Sequence, residues 1–330
     1  MSTLSRRKSF LDFFPVPEFL LLSTTSIVVT DEDTKFVQLR RKIFGDGFEL
    51  THATKVPNVL GAIESGLIIS PAEVTPSLKK LATHYGIYYA HAILPEEKAY
   101  LFTTTISSVP KEGLRDAVAF IIEENAPISL IDSVFDFEVI SEDKNANETK
   151  LAVSVLPKSI VNAYVSLFES AGITPISFQL ESQAIAKAVI HREDRRAHLI
   201  VNISSKKTGF YVVEDSVVQF STTPAYGVGA DGTYSNLSDL KAEMRKVLAF
   251  WDVRTDKLGK GSQIEKIVLC GSGASDEDFV KKFMEGISVE YLLADVWLNT
   301  SSSRDHVPEI PPSESLDYAS AIGLVLSQSK

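Results

Sequence analysis

A few short stretches of this 330-residue chain carry residue types that could hold a small ligand. Gly271-Ser272-Gly273 follows the apolar run Ile267-Val268-Leu269-Cys270 and precedes a helix beginning near Asp276. Glycines in that place suit an ordinary strand-to-helix turn, and equally a close approach of backbone to ligand. Lys206-Lys207 lie in a hairpin turn beside Ser204 and Ser205, where they can meet a phosphate or simply face water. Gly227 and Gly229 follow that hairpin, and Glu181 opens a helix, where the dipole favours an acid. Other chemistry finds no support. The six histidines show no metal-ligand spacing, a single cysteine excludes a CxxC site, and no GxSxG, P-loop or HExxH motif occurs. Cys270, ending an apolar run, reads as a buried core thiol. Glu32, between two aspartates, and Glu123-Glu124 read as solvated surface acids.

The elements that position these residues follow from periodicity. Ser26–Val29 and Lys35–Arg40 read as a hairpin about Asp31-Glu32-Asp33. The pattern returns at Leu199–Ile203 and Gly209–Val213, with Val28 falling on Asn202, Thr30 on Ser204 and Thr34 on Thr208. The period is 174 residues, about half the chain, as a duplicated fold requires. Strand Leu151–Leu156, helix Lys158–Ala171 ended by Gly172, strand Ile176–Leu180 and helix Ser182–Ile190 close the first half. A polar helix, Leu237–Trp251, serves the second.

Between them, roughly Lys55 to Asn147, helices Pro71–Tyr85 and Lys111–Glu124 alternate with strands Tyr88–Leu94, Ala99–Thr105 and Ser133–Ile140. That rhythm suggests an inserted α+β subdomain. Ser141–Lys150 and Thr300–Ser315 read as exposed loops. A net charge of −10 excludes the basic footprint of a nucleic-acid binder. Charges and prolines interrupt the apolar N-terminal stretch Phe10–Leu22, which reads first as a Pro-stiffened arm lying on the domain and, as the alternative, as an arm that docks a partner. No uncharged apolar run reaches the ~18 residues of a membrane span.

This order resembles the actin/Hsp70/sugar-kinase superfamily, and within it the PilM family of type IV pilus assembly proteins, relatives of FtsA. The stretches that carry the likeness are Phe14–Leu20 before the first hairpin, Gly61–Ile68, Ala92–Pro95, Ala171–Pro175 and Tyr318–Leu324. The resemblance implies an α/β fold of the actin-like (ribonuclease H-like duplicated) type, two-lobed with an inserted α+β subdomain. The expected division is an N-terminal arm 1–22, a first lobe 23–54 with 148–195, an insertion 55–147, and a second lobe 196–236 with 262–330 that carries a helical subdomain 237–261.

Members of that superfamily hold ATP and Mg²⁺ between the lobes on two hairpins that begin Asp-x-Gly. The aspartate orients metal-bound water and the glycine admits phosphate to the backbone. Here the first hairpin reads Val28-Val29-Thr30 and the second Asn202-Ile203-Ser204. Groups matched to phosphoryl charge are missing, so hydrolysis is not expected and no cofactor is required. Any nucleotide that still binds would use Thr30, Asn202, Ser204, Ser205, Lys206, Gly227, Gly229, Gly271, Ser272 and Gly273. Such binding would lean on the second lobe, with Glu181 in the place of the family's acid near the attacking water and no residue dedicated to a metal.

The resemblance further implies a cytoplasmic scaffold, peripheral to the inner membrane through its partners. Those partners are the N-terminal tail of a PilN-like protein, held in a groove between the insertion and the first lobe, and the pilus motor and inner-membrane platform. Val56–Ile69 is the expected groove neighbourhood. The alternatives are an active nucleotide-switched ATPase of the same machine and an FtsA-like filament former. Against the latter, Leu324–Lys330 is too short for a separate amphipathic anchor.

Overall fold

A computed structural model describes residues 24–42, 47–229, 234–258, 263–300 and 310–326. The N-terminal arm, with the Phe14–Leu20 stretch, lies outside the described residues, as does most of the Thr300–Ser315 stretch. The first half runs β1 (Thr24–Val29), β2 (Asp33–Arg41), β3 (Phe48–Pro57), the small hairpin β4 (Ile63–Glu64) and β5 (Leu67–Ile68), α1 (Pro71–Tyr85) and β6 (Tyr89–Leu94). Next come β7 (Tyr100–Ser107), α2 (Leu114–Asn125), β8 (Ser133–Asp143), β9 (Glu148–Pro157), α3 (Lys158–Ser170), β10 (Thr174–Leu180) and α4 (Glu181–Val189). The second half contains β11 (His198–Ile203), β12 (Thr208–Glu214), β13 (Val217–Thr222), α5 (Leu237–Leu258), β14 (Lys266–Cys270), α6 (Glu277–Met284) and β15 (Glu290–Leu293). It ends with α7 (Pro312–Ser315) and α8 (Ala319–Leu326).

Local chemistry explains the boundaries. β1 is almost wholly β-branched, Thr-Thr-Ser-Ile-Val-Val, and five of its six residues are buried. Pro71 opens α1 where its missing N–H costs nothing, and Gly86 at φ 64° ends it in the left-handed conformation.

The two halves are copies. One sheet is ordered β10-β6-β1-β2-β3 and the other β15-β14-β11-β12-β13. In both, an antiparallel three-strand meander is extended by two parallel strands. An offset of 174 carries Thr24–Val29 onto His198–Ile203, so the weak sequence repeat is the duplicated strand itself. One buried cluster lies in the first lobe, with Phe36, Leu78, Tyr164 and Phe168, and the other is centred on the second, with Phe210, Trp251, Phe279 and Leu324, and continues across the junction to Val28, Val37 and Leu39. Cys270 is fully buried in the second, and burial pushes its thiol up.

Where the lobes meet, α8 crosses α4 at Gly323. A Cβ there would lie 1.7 Å from the Ala184 carbonyl oxygen, so only glycine admits this approach. Ser26 Oγ donates to the Ala321 carbonyl at 2.7 Å and ties β1 to the same helix.

The insertion is smaller than 55–147. β6 pairs between β1 and β10, and Ala62, Ile63, Val74 and Leu78 belong to the first lobe's cluster. The segment with its own sheet is β7-β9-β8, spanning Tyr100–Pro157, covered by α2 around Val118, Ile122, Leu151 and Val153. An apolar strand followed by a helix reads alike in either unit, and pairing partners decide. Ser141–Lys150 is mostly strand, because β8 and β9 run on as a hairpin with only 144–147 between them. Residues 237–261 have no core of their own among the described residues. α5 buries Leu240, Met244, Val247 and Trp251 in the second lobe's cluster.

Candidate functional site

The two hairpin turns face each other across the junction of the lobes. Thr30 N–H and its hydroxyl both donate to the Asp33 carbonyl, and that hydroxyl also accepts from the Glu32 and Asp33 amides. Ser204, 174 residues on, does the same. Its N–H and hydroxyl donate to the Lys207 carbonyl, and its oxygen accepts from the Lys207 amide at 3.2 Å. The hydroxyls expected to meet a phosphate instead close their own turns. The glycines are likewise engaged within the chain. A Cβ at Gly227 would sit 2.3 Å from the Ser205 carbonyl oxygen, and one at Gly271, where φ is 86°, would sit 2.3 Å from that of Ile203. Val228 N–H and Gly229 N–H donate to the Ser204 and Ser205 carbonyls. Gly273 packs on Ile203 and Val228, Ser272 starts a single 3₁₀ turn, and Asn202 Oδ1 faces the Cys270 thiol at 3.8 Å.

The charged groups form two clusters. In the first, Lys35 Nζ lies 3.1 Å from Asp33 and 3.0 Å from Asp317, which also takes Lys55 at 2.9 Å. Burial works against the Lys35 ammonium, but Asp317 and Asp33 outweigh it and push its pKa up to about 12. Burial likewise opposes ionisation of Asp317, and the Lys35 and Lys55 charges overcome it, holding that carboxyl below its ordinary range.

In the second cluster, Lys207 Nζ lies 2.6 Å from Glu97 and 3.6 Å from Glu181. Against the cost of burial, these two carboxylates hold the lysine well above its ordinary value. Ser205 Oγ donates to Glu32, and Asp31 accepts from the Ser65 and Gly66 amides at 2.6 and 2.9 Å. Behind them, buried Glu96 accepts from Ser182 N–H at 3.1 Å and Ser182 Oγ at 2.9 Å. Burial, outweighing those donors, raises its pKa to about 7. Tyr211 Oη donates to Glu181 at 3.4 Å.

The structure therefore gathers Thr30, Glu181, Asn202, Ser204 and Lys206 around one cavity, with Lys35, Lys207 and Asp317. Its volume is about 30 Å³, room for about two waters at ~10–15 Å³ each and far below the ~300–1,000 Å³ of ligand pockets. No cluster of three or more metal-ligating side chains occurs among the described residues. Glu32 corrects the expectation of a solvated acid, since it is half-buried and accepts from Ser205. Lys35, Asp317 and Glu97 were missed. A lysine inside the alternating strand Lys35–Arg40 was the available signal, because a buried ammonium needs a carboxylate.

Two larger concavities occur among the described residues, the first bordering this network. Leu60, Gly61, Ile63, Glu64 and Ser65 line one of about 600 Å³ together with Lys206, Thr223 and Ala225. Val56–Ile69 thus faces the second lobe, and no residue of β7, β8 or β9 lines that cavity. The groove between the insertion and the first lobe is a different one, of about 760 Å³. Phe137, Glu138 and Val139 of β8, the C-terminal half of α4, and Val213 and Val217 of the second lobe line it. β8 is an edge strand, paired only with β9.

No protein-family model matches the sequence, and no curated protein does. Among solved structures, a chain of a PilM-PilN type IV pilus biogenesis complex matches 94% of this chain and 99% of its own length, with a TM-score of 0.78 at 16% identity. The chain has an actin-like, PilM-type fold. The ethanolamine utilization protein EutJ from Carboxydothermus hydrogenoformans matches with a TM-score of 0.49 at 10% identity, over 95% of this chain and 91% of that one. The cytoplasmic domain of EpsL, an inner-membrane component of the type II secretion system of Vibrio cholerae, gives 0.48 at 10%, over 90% and 94%. Among the described residues no helix is long and apolar enough to cross a membrane.

Proposed function

We propose that this chain is a scaffold of a type IV pilus-like assembly machine, working in the cytoplasm beneath the inner membrane and binding the extended, apolar N-terminal tail of a PilN-like membrane protein. The observation that carries the reading is the groove between insertion and first lobe. β8 stands at the edge of its sheet, and Val139, Ala186, Ile190, Val213 and Val217 give the groove an apolar part. That combination suits strand addition, in which backbone hydrogen bonds supply affinity and alternate side chains fill pockets. The solved chain of matching fold was determined in a complex with PilN, which supports the same class of partner.

The scaffold role uses no nucleotide cofactor and no hydrolysis. The turn amides and hydroxyls that a phosphate would need are bonded within the chain.

A synthetic tail peptide from a PilN-like protein encoded beside this chain tests the reading by calorimetry. Saturable one-to-one binding, weakened about tenfold or more by Val139→Glu, is expected. Absence of binding at ~100 μM protein, or binding indifferent to Val139→Glu, would overturn it.

A further inference from the structure

In a two-lobed protein whose ligand sits between the lobes, the ligand normally supplies the contacts that hold the lobes together. Here three sets of side chains span the junction without one. Lys207, on the second-lobe hairpin, reaches Glu97 and Glu181 of the first lobe. Ser205, on the same turn, donates to Glu32 on the opposing turn. Asp317, at the start of the last second-lobe segment, takes Lys35 and Lys55 of the first lobe. Each set pairs a cation or hydroxyl with a carboxylate across the gap. The Lys207 ammonium stands among acids where the actin-like arrangement implies a metal cation.

We propose that these contacts are a built-in latch that keeps the lobes closed in place of a bound nucleotide, so that the chain has one interlobe conformation and is insensitive to nucleotide. Three features of the geometry agree. The cavity left between the turns admits only about two waters. Lys207 and Lys35 are each matched by an acid from the other lobe, so opening would strip buried Asp317 of both its lysines and leave Lys35 with only Asp33 of its own hairpin. The hinge is tight as well, because α4 and α8 touch backbone to backbone at Ala184 and Gly323.

Double electron–electron resonance across the lobes tests the latch in the full chain. Spin labels go at Glu73→Cys on α1 and Glu277→Cys on α6, both exposed and on opposite lobes, while buried Cys270 is left in place. The parent chain is expected to give a single narrow distance distribution that 5-fold and higher excesses of Mg-ATP leave unmoved. Lys207→Ala combined with Ser205→Ala is expected to broaden the distribution at least twofold or add a longer distance. Should that variant fail to fold by circular dichroism, Ser205→Ala with Lys55→Ala removes only solvent-reachable partners, and a smaller broadening is expected. A folded variant with unchanged width, or a parent distribution that shifts with Mg-ATP, overturns the latch. Neither outcome depends on whether a tail peptide binds the other groove.

Discussion

At the scale of single residues, the junction of the lobes is governed by charges taken partly out of water. Removing one partner of a buried pair leaves the other uncompensated, which costs roughly 3–5 kcal/mol. Lys207→Ala strands Glu97 and Glu181 together, so chemical denaturation should show a loss in that range. Lys207→Met with Glu97→Gln and Glu181→Gln removes the charges as a set and is expected to recover most of it.

Glu96 makes a separate prediction. Its pKa rises from 4.5 to about 7 on folding because burial penalises the carboxylate. Between those values the folded chain holds a proton that the unfolded chain has released, so this group's contribution to stability falls as pH rises. The expected slope is roughly 1.4 kcal/mol per unit, ending above pH 7. Glu96→Gln, which keeps an acceptor for Ser182, should flatten the stability profile between pH 5 and 7 and be the more stable form at pH 8. A profile unchanged by the substitution would show that Glu96 is ionised in the fold.

At the scale of elements, the α4–α8 crossing and the β8 edge make opposite predictions. Gly323→Ala drives a methyl group into the Ala184 carbonyl, and overpacking of this kind costs roughly 1–3 kcal/mol, visible as a lowered thermal midpoint. Val139→Glu sits on an exposed edge, 40% accessible, and should leave that midpoint within about 1 °C while weakening tail-peptide binding.

Elements of this kind were legible to unequal degrees. Helices α1 and α3 and both hairpins stand out in the sequence because period, proline and glycine all agree. The 174-residue offset marked the duplication because β1 and β11 are short strands with five of six residues buried in each. The insertion's edges were illegible. β6 and β9 are apolar strands of similar composition, and only sheet pairing shows that one joins β1 and the other joins β7. The side of the molecule that Val56–Ile69 faces was illegible for the same reason, since nothing local fixes which lobe a hairpin will face.

At the scale of the whole molecule, a two-lobed actin-like fold carries ion pairs between side chains across the junction of its lobes. The emptied hairpins could be read from Val28, Thr30, Asn202 and Ser204 alone. The ion pairs could not, because Lys35 and Asp317, or Lys207 and Glu97, lie far apart in sequence and meet only once both lobes have formed. A latched body of this kind holds β8, α4 and the β12–β13 hairpin in fixed register. They line a single groove, so closure of one site preorganises the other. The most direct test of the latched cleft is isothermal calorimetry of the full chain with Mg-ATP up to about 1 mM. No saturable heat is expected, and the same sample should remain competent to bind a tail peptide. Micromolar binding of Mg-ATP would contradict the account.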